Sequence, residues 1–440
     1  MASNPIVDIF RVKELRERIL FTLFWLTVFR LGAYLPIPGI DVSALRAYFE
    51  SQSGNGNNIT DYLDFFAGGA FKNFSLFMMG VMPYISTQII MQLLLIVFPR
   101  MKKMAEEDGG KKKIQLYTRL GTIGVSLVQA LTVTVWANRI PNAIVMENRF
   151  AYTIIAMLTV TTGTMFLVWI GEQITKRGIG NGVSLLIFAG IVSRLPNALY
   201  ELGRLIARGE VNGVYAVVVI AMFVAVVALV VLEQQGQRKI HVNYAKRVVG
   251  RKQFGGGSTY IPFKLNPSGV IPVIFASSLL TFPLQISQSL GVEWKWLRDM
   301  SYTFRPDGFW YSFMYVAFII FFAYFYTQVT LNPQEISKNI RENGGSIPGI
   351  RSEKMEEHLT RILNRIILPG SIYLAFIALI PTLVTQLFDF PSQLAYLLGG
   401  TSLLILVGVD LDTMSQVNAL LKMHHHEGLV KKGHIRSRNL

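Results

Sequence analysis

Apolar runs of about twenty residues alternate with shorter polar stretches along all 440 positions. A bilayer's hydrocarbon core is about 30 Å thick, and a helix crosses it in about 20 residues. On that measure ten spans are predicted, at 19–36, 74–98, 115–137, 151–171, 183–203, 213–232, 267–290, 309–331, 365–387 and 393–417. Spans two, five and seven contain Pro83, Gly190 and Pro272. Such breaks persist in lipid only where neighbouring helices or a water-filled cavity satisfy the freed backbone groups. Ten spans divide into five plus five. An odd number per half starts the second half on the opposite membrane face, so halves 1–210 and 211–440 would be inverted repeats. No internal sequence identity supports that division; it is geometry.

Polar composition agrees with this. Only 16% of residues are charged and 51% are hydrophobic, against about 25% charged in a typical soluble domain. The net charge of +15 is unevenly placed. Thirty of the 42 lysines and arginines lie on the side holding both chain ends and the stretches 99–114, 172–182, 233–264 and 333–365; nine lie on the other side. Positive residues remain cytoplasmic, so both termini are expected there. No cleavable leader is expected: residues 1–20 mix acids and bases, and Ile6, Ile9 and Phe10 suit a short helix lying on the membrane surface. The absence of cysteine excludes disulfides and thiolate metal sites.

Three inter-span segments carry more than connection. Ile59–Phe74 (ITDYLDFFAGGAFKNF) is too short to span and too apolar for a solvated loop. Two readings stay open: an interfacial helix with a hinge, or a re-entrant half-helix that blocks a pore and swings on its glycines. In 233–264, Ile240, Val242 and Tyr244 alternate with polar residues and a second extended run covers 258–265. This predicts a hairpin whose tip carries Lys246, Arg247, Arg251 and Lys252, suited to RNA or an acidic protein surface. In 333–365, Asn343-Gly344-Gly345 and Pro348-Gly349 are turn chemistry that would present Arg351.

Other features point away from chemistry. Gly178, Gly180 and Gly182 have the spacing of a phosphate loop, but no strand precedes them and a membrane helix follows. His424, His425 and His426 lie on a polar tail, and Met78, Met79 and Met82 read as packing residues. Transporters place ionisable residues in mid-span; here Arg30, Glu172, Arg194, Glu233 and Asp410 are expected near span ends, where snorkelling is cheap. The neutral polar residues Ser86, Thr87, Gln88 and Gln92, Gln129, Ser277 and Ser278 suit a seam between helices that must part without stranding charge in lipid. No catalytic constellation lies in the spans, so no enzymatic activity and no cofactor are expected.

The runs GVMPYISTQIIMQLL (80–94), TKRGIGNGVSLLIFAGIV (175–192), NYAKRVVGR (243–251), NPSGVIPVIFASSLLTFP (266–283), PGIR (348–351) and GGTSLLILVGVDLDTMSQV (399–417) closely resemble the SecY family, the channel-forming subunit of the bacterial Sec protein translocase. The resemblance covers nearly the whole chain. It implies an all-α membrane protein of ten transmembrane helices in two inverted five-helix halves, a clamshell with a central hourglass pore and a re-entrant plug helix. It places a pore ring on Val81, Ile85, Ile187, Ile191, Ile274 and Ile405. Val81 departs from an all-isoleucine ring. The plug, 60–72, includes Asp61, Tyr62, Leu63, Phe65, Phe66, Gly68 and Gly69. A lateral gate would draw its polar seam from Ser86, Thr87, Gln129 and Ser277. Arg247, Arg251, Lys252 and Arg351 would dock the ribosome or the SecA motor ATPase, and Asp410 departs from the family's acidic position, which falls on Asp412. Further implied partners are the small membrane subunits SecE and SecG, signal sequences, unfolded precursor polypeptides and the lipid bilayer.

The expected function is a protein-conducting channel. Branched aliphatic groups around a narrow waist exclude water when shut and hold no preference among passing chains. A secondary transporter and an intramembrane protease are the rivals, disfavoured by the uncharged mid-spans and the missing catalytic groups.

Overall fold

The computed structural model describes residues 12–52, 64, 67–209, 213–244, 247–249, 252–254, 258–290, 295, 299, 303, 308–388, 394–395 and 399–432. The chain divides into two compact units, one of residues 1–201, 284–301 and 409–440, the other of 202–283 and 302–408.

In chain order the first helices are α1 (Lys13–Gly32), α2 (Val42–Gln52), α3 (Met82–Val97), α4 (Pro99–Glu106), α5 (Gly110–Ala137), α6 (Arg149–Arg177), α7 (Gly182–Val192), α8 (Leu195–Ala207) and α9 (Gly213–Gln235). Strands β1 (Gln237–Tyr244), β2 (Arg247–Val249), β3 (Lys252–Phe254) and β4 (Ser258–Lys264) follow. The chain closes with α10 (Ile271–Leu290), α11 (Phe309–Thr330), α12 (Pro333–Glu342), β5 (Gly345–Ser346), α13 (Met355–Phe388) and α14 (Gly400–Lys432). The ten predicted spans correspond to α1, α3, α5, α6, α7 with α8, α9, α10, α11, α13 and α14. Seven of these stretches are long and apolar enough to cross a bilayer unaided, and α3 joins α4 across a 107° bend. Exposed apolar side chains along α9, among them Val217, Val218, Ile220 and Val224, suit a surface solvated by lipid rather than water.

The breaks fall elsewhere than the sequence suggests. Span two was expected from residue 74, yet 75–81 are almost wholly turns and the helix starts at Met82. Pro83 sits in the first turn of α3, where its missing N–H costs nothing. Pro272 likewise lies at the start of α10, and the proline inside that helix is Pro283. Gly190 lies within α7, and span five breaks just beyond it, between Val192 and Leu195. Helix α14 continues past the expected end of span ten to Lys432, through His424–His426.

In the second unit β1 and β4 form the expected antiparallel hairpin, with Gln237 opposite Lys264 and Asn243 opposite Ser258. Strand β5 adds to β1 through Asn243–Ser346 and Tyr244–Gly345, tying the 333–365 stretch to the hairpin. Ile240, Val242 and Phe263 join a buried cluster with Ile347, Met355 and Leu359, so the predicted alternation reflects one packed face.

In the first unit Asp41 caps α2. Its Oδ1 accepts hydrogen bonds from the Ser43 hydroxyl, the Ser43 amide and the Ala44 amide, and these bonds, the hydroxyl's foremost, hold its carboxyl below the usual carboxylate range. A depressed folded pKa means the cap's contribution is complete above the unfolded value, about 4, and is lost as pH falls through the folded one. The protection of the Ser43 and Ala44 amides, as exchange measured against the intrinsic rate at each pH, is therefore expected to fall below about pH 4. Asp41→Asn, which still caps, should remove the pH dependence without fraying the helix.

Candidate channel lining and plug seat

The six proposed ring positions are all buried, between 0% and 6% exposed. Val81 and Ile85 stand one turn apart at the start of α3, and Ile187 and Ile191 one turn apart on α7. Both pairs belong to the first unit. Ile274 on α10 and Ile405 on α14 belong to the second. Beside them, a side chain at Gly408 on α14 would strike that of Val270, the residue before α10, at 2.7 Å, about a turn from each ring residue.

Between α2 and α3 the chain is held from both ends of residues 64–81. Phe71 and Phe74 stack on Trp136 at the end of α5, with ring centroids 6.0 Å apart in each pair. Ala70, Phe71, Phe74, Phe77, Met78 and Met79 are buried, in keeping with the packing role expected of the methionines. Upstream, the wholly buried Asp64 pairs with Arg194 at 2.8 Å, and its Oδ1 accepts the Lys72 amide at 3.0 Å. Arg30 donates to the Gly68 carbonyl at 2.9 Å. Gly68 has φ +65°, and a side chain there would lie 2.7 Å from the Gly190 Cα. Only two glycines allow that backbone approach. Of the plug residues inferred from sequence, Gly68 and Gly69 are in this seat; Asp61, Tyr62, Leu63, Phe65 and Phe66 lie outside the described residues.

The glycines of RGIGNG make a joint, not a phosphate loop. The Ile179 amide donates to Thr22 Oγ1 on α1 at 3.1 Å, and the Gly180 amide to Gln416 Oε1 on α14 at 2.9 Å. Asn181 caps α7 through the Val183 and Ser184 amides. The backbone donors that would cradle an anion are spent on three other helices or on the cap.

Three of the five charged residues expected to snorkel prove to have partners, while Glu233 on α9 is buried instead of reaching the span's end. Arg30 and Arg194 hold the plug seat, and Glu172 accepts from Arg119 and Gln115 across the α5–α6 contact. Asp410 is exposed on α14.

Of the proposed gate residues, Thr87 donates to Pro83 O at 2.8 Å, and its methyl faces Gly121 of α5 at the distance where a side chain there would clash. Ser277 donates to Ile274 O. Gln129 is buried with its Oε1 unpaired among the described residues, and Ser86 is half-buried. The hydroxyls of Thr87 and Ser277 are thus spent within their own helices, while Gln129 keeps an acceptor to spare.

Within the 233–264 stretch, β2 and β3 form a separate two-stranded sheet with Arg247 opposite Phe254 and Val249 opposite Lys252; Lys246 and Arg251 lie outside the described residues. Arg351 is exposed and directly follows the turn Ile347–Ile350, closed by Ile350 N–H to Ile347 O at 3.2 Å. Pro348 then Gly349 with φ +78° is the residue order of a type II turn. With Ile347 buried in the hairpin cluster, the arginine projects from an anchored support.

The SecY family model matches residues 75–414. The SecY translocase subunit of Borreliella burgdorferi is 48% identical over 94% of this chain and 95% of its own length. The chain belongs to the SecY family. The SecY subunit of Escherichia coli K12 is 39% identical over 99% of both chains. Among solved structures, a protein-conducting channel superposes with a TM-score of 0.65 at 18% identity, covering 95% of each chain. Sec61 in the canine ribosome–channel complex gives 0.61 at 17% identity, again covering 95% of each. The SecY fold is therefore the fold of this chain: ten membrane helices in an all-α channel protein.

Reasoning from sequence missed Asp64, Arg30, Arg194 and Trp136. A signal existed: an acid inside LDFF and arginines within predicted spans are each costly in lipid, and opposite charges isolated in apolar sequence ask for one another.

Proposed function

We propose that the protein is the channel-forming subunit of a bacterial Sec translocase. It passes unfolded secretory polypeptides across the inner (plasma) membrane and releases signal sequences and membrane helices sideways into lipid. The observation that carries this reading is the plug seat. The glycine hinge at 68–69 rests against Gly190, next to Ile191 and within a turn of Ile187, two of the aliphatic residues assigned to the waist. A stopper thus lies beside the collar it would close.

In this reading the halves 1–210 and 211–440 form the two sides of a clamshell with the hourglass pore between them. Val81, Ile85, Ile187, Ile191, Ile274 and Ile405 seal the waist by dewetting. Ser86, Thr87, Gln129 and Ser277 line the lateral gate, and the plug covers 60–72. Both termini and the hairpin are cytoplasmic, as the charge bias supports. The ribosome or SecA docks on Arg247, Arg251, Lys252 and Arg351, and SecE and SecG complete the complex. The protein has no catalytic activity of its own and no cofactor; energy comes from the motor.

Reconstituted with SecE, SecG, SecA and ATP, the protein should render a secretory precursor protease-protected; no protection would refute the assignment. Ile274→Asn or Ile405→Asn should wet the waist and raise ion conductance severalfold in planar bilayers. Unchanged conductance in both would remove the aliphatic seal from the mechanism.

A further inference from the structure

Among the described residues Asp64 is the one plug-seat carboxylate; it is fully enclosed, and its partner comes from the break between α7 and α8. Arg194 reaches it from one residue beyond the Ser193 that ends α7, placing its charge 2.8 Å from Asp64 Oδ2. The same stretch of chain is gripped at Gly68 by Arg30, whose guanidinium also sits 5.4 Å from the Tyr34 ring and 3.2 Å from its hydroxyl. Downstream, the Phe71–Phe74–Trp136 stack fixes the chain. Between these anchors lie two glycines of positive φ, Gly68 and Gly69, with charged groups gripping the chain at Asp64 and Gly68.

We propose that Arg194, supported by Arg30, is a positioning residue that latches the plug hinge shut through Asp64, and that hydration of the pore releases the latch. The inference rests on the plug reading above. Its physical basis is the dependence of a charge pair on its surroundings. In a dry interior the attraction is strong; Asp64 is wholly enclosed and the Arg194 side chain only 19% exposed. Once water enters, the effective dielectric rises, the pair weakens several-fold, and both groups become solvated. A chain that wedges the waist open enough to admit water therefore loosens the stopper, whatever its own sequence. The latch asks nothing of the cargo, as a channel for many substrates requires.

The test uses the full chain co-purified with SecE and SecG, in planar bilayers without precursor. Asp64→Asn and Arg194→Gln should each raise basal ion conductance at least about tenfold, since removing one partner strands the other's charge. Arg194→Lys, which keeps the charge, should stay near wild type. A second readout does not depend on conduction. The chain has no cysteine, so Ala67→Cys, at a buried position between Asp64 and Gly68, reports release by its rate of modification with a membrane-impermeant maleimide. Arg194→Gln should accelerate that labelling at least about tenfold. Wild-type conductance and labelling in both neutral variants would overturn the latch and leave the channel assignment standing. Failure of the wild-type complex to protect precursor with motor and ATP would overturn the channel assignment, while the labelling comparison still decides the latch.

Discussion

Arg119→Leu is expected to cost about 3 kcal/mol of stability, the lower end of the range for breaking a buried ion pair from one side. Arg119 Nε donates to Glu172 Oε1 at 2.8 Å, and its terminal nitrogen meets the other carboxylate oxygen. The Glu172 side chain is 10% exposed and that of Arg119 38%, so the leucine variant leaves a nearly enclosed carboxylate behind. Two groups soften the loss. Gln115 Nε2 donates to Oε1 at 3.1 Å, and the Lys176 ammonium stands 3.8 Å from Oε2. They place the effect at the low end rather than the high one. Arg119→Leu with Glu172→Leu should recover more than half of the loss, because two apolar groups of similar size leave nothing unpaired. The thermal midpoint of the purified complex in detergent measures both variants. The exposed pair Arg361–Glu357, also 2.8 Å apart, provides a control. Arg361→Ala should move the midpoint little, since an exposed pair contributes at most about 1 kcal/mol. Equal effects at the two sites would show that burial does not govern these pairs.

Gly182→Val should prevent accumulation of folded protein. A side chain at Gly182 would lie 1.9 Å from the Gly171 carbonyl oxygen and 2.8 Å from its Cα, so the obstacle is backbone of α6 and cannot rotate away. Overpacking against side chains costs about 1–3 kcal/mol. Here α7 as a whole would have to move, breaking the Gly182 amide's bond to Thr175 Oγ1 and, beside it, the Gly180 bond to Gln416. Gly203→Val, on α8 with nothing near the added group, should accumulate normally. Immunoblots of membrane fractions at matched expression compare the two. Full accumulation of Gly182→Val would refute the close helix crossing.

How much of this was legible in advance depended on whether the information was local. Ten spans could be found because crossing a bilayer imposes length and hydrophobicity on each segment separately. The hairpin was legible for the same reason: alternation at Ile240 and Val242 is a property of one strand and its burial. Breaks within spans were not. Pro83 and Pro272 read as interruptions, but proline is equally at home in a first turn, and only the preceding backbone decides which applies. Glu172, Arg30 and Arg194 were taken as snorkelling ends because sequence position gives depth along one helix and says nothing about a partner on another.

By itself, then, the order of residues determined that this chain lives in a membrane, which segments cross it, where its positive charge lies and that its mid-spans carry little charge. Its motifs also determined its family. Tertiary structure alone decided that Asp64 meets Arg194 across 130 positions, that Gly68 lies on Gly190, and that a glycine-rich stretch resembling a phosphate loop is a joint for α1, α6, α7 and α14. The physical reason is range. Hydrophobic burial in lipid acts on each helix alone, whereas ion pairs and backbone contacts act over a few ångströms between segments that only the folded chain brings together.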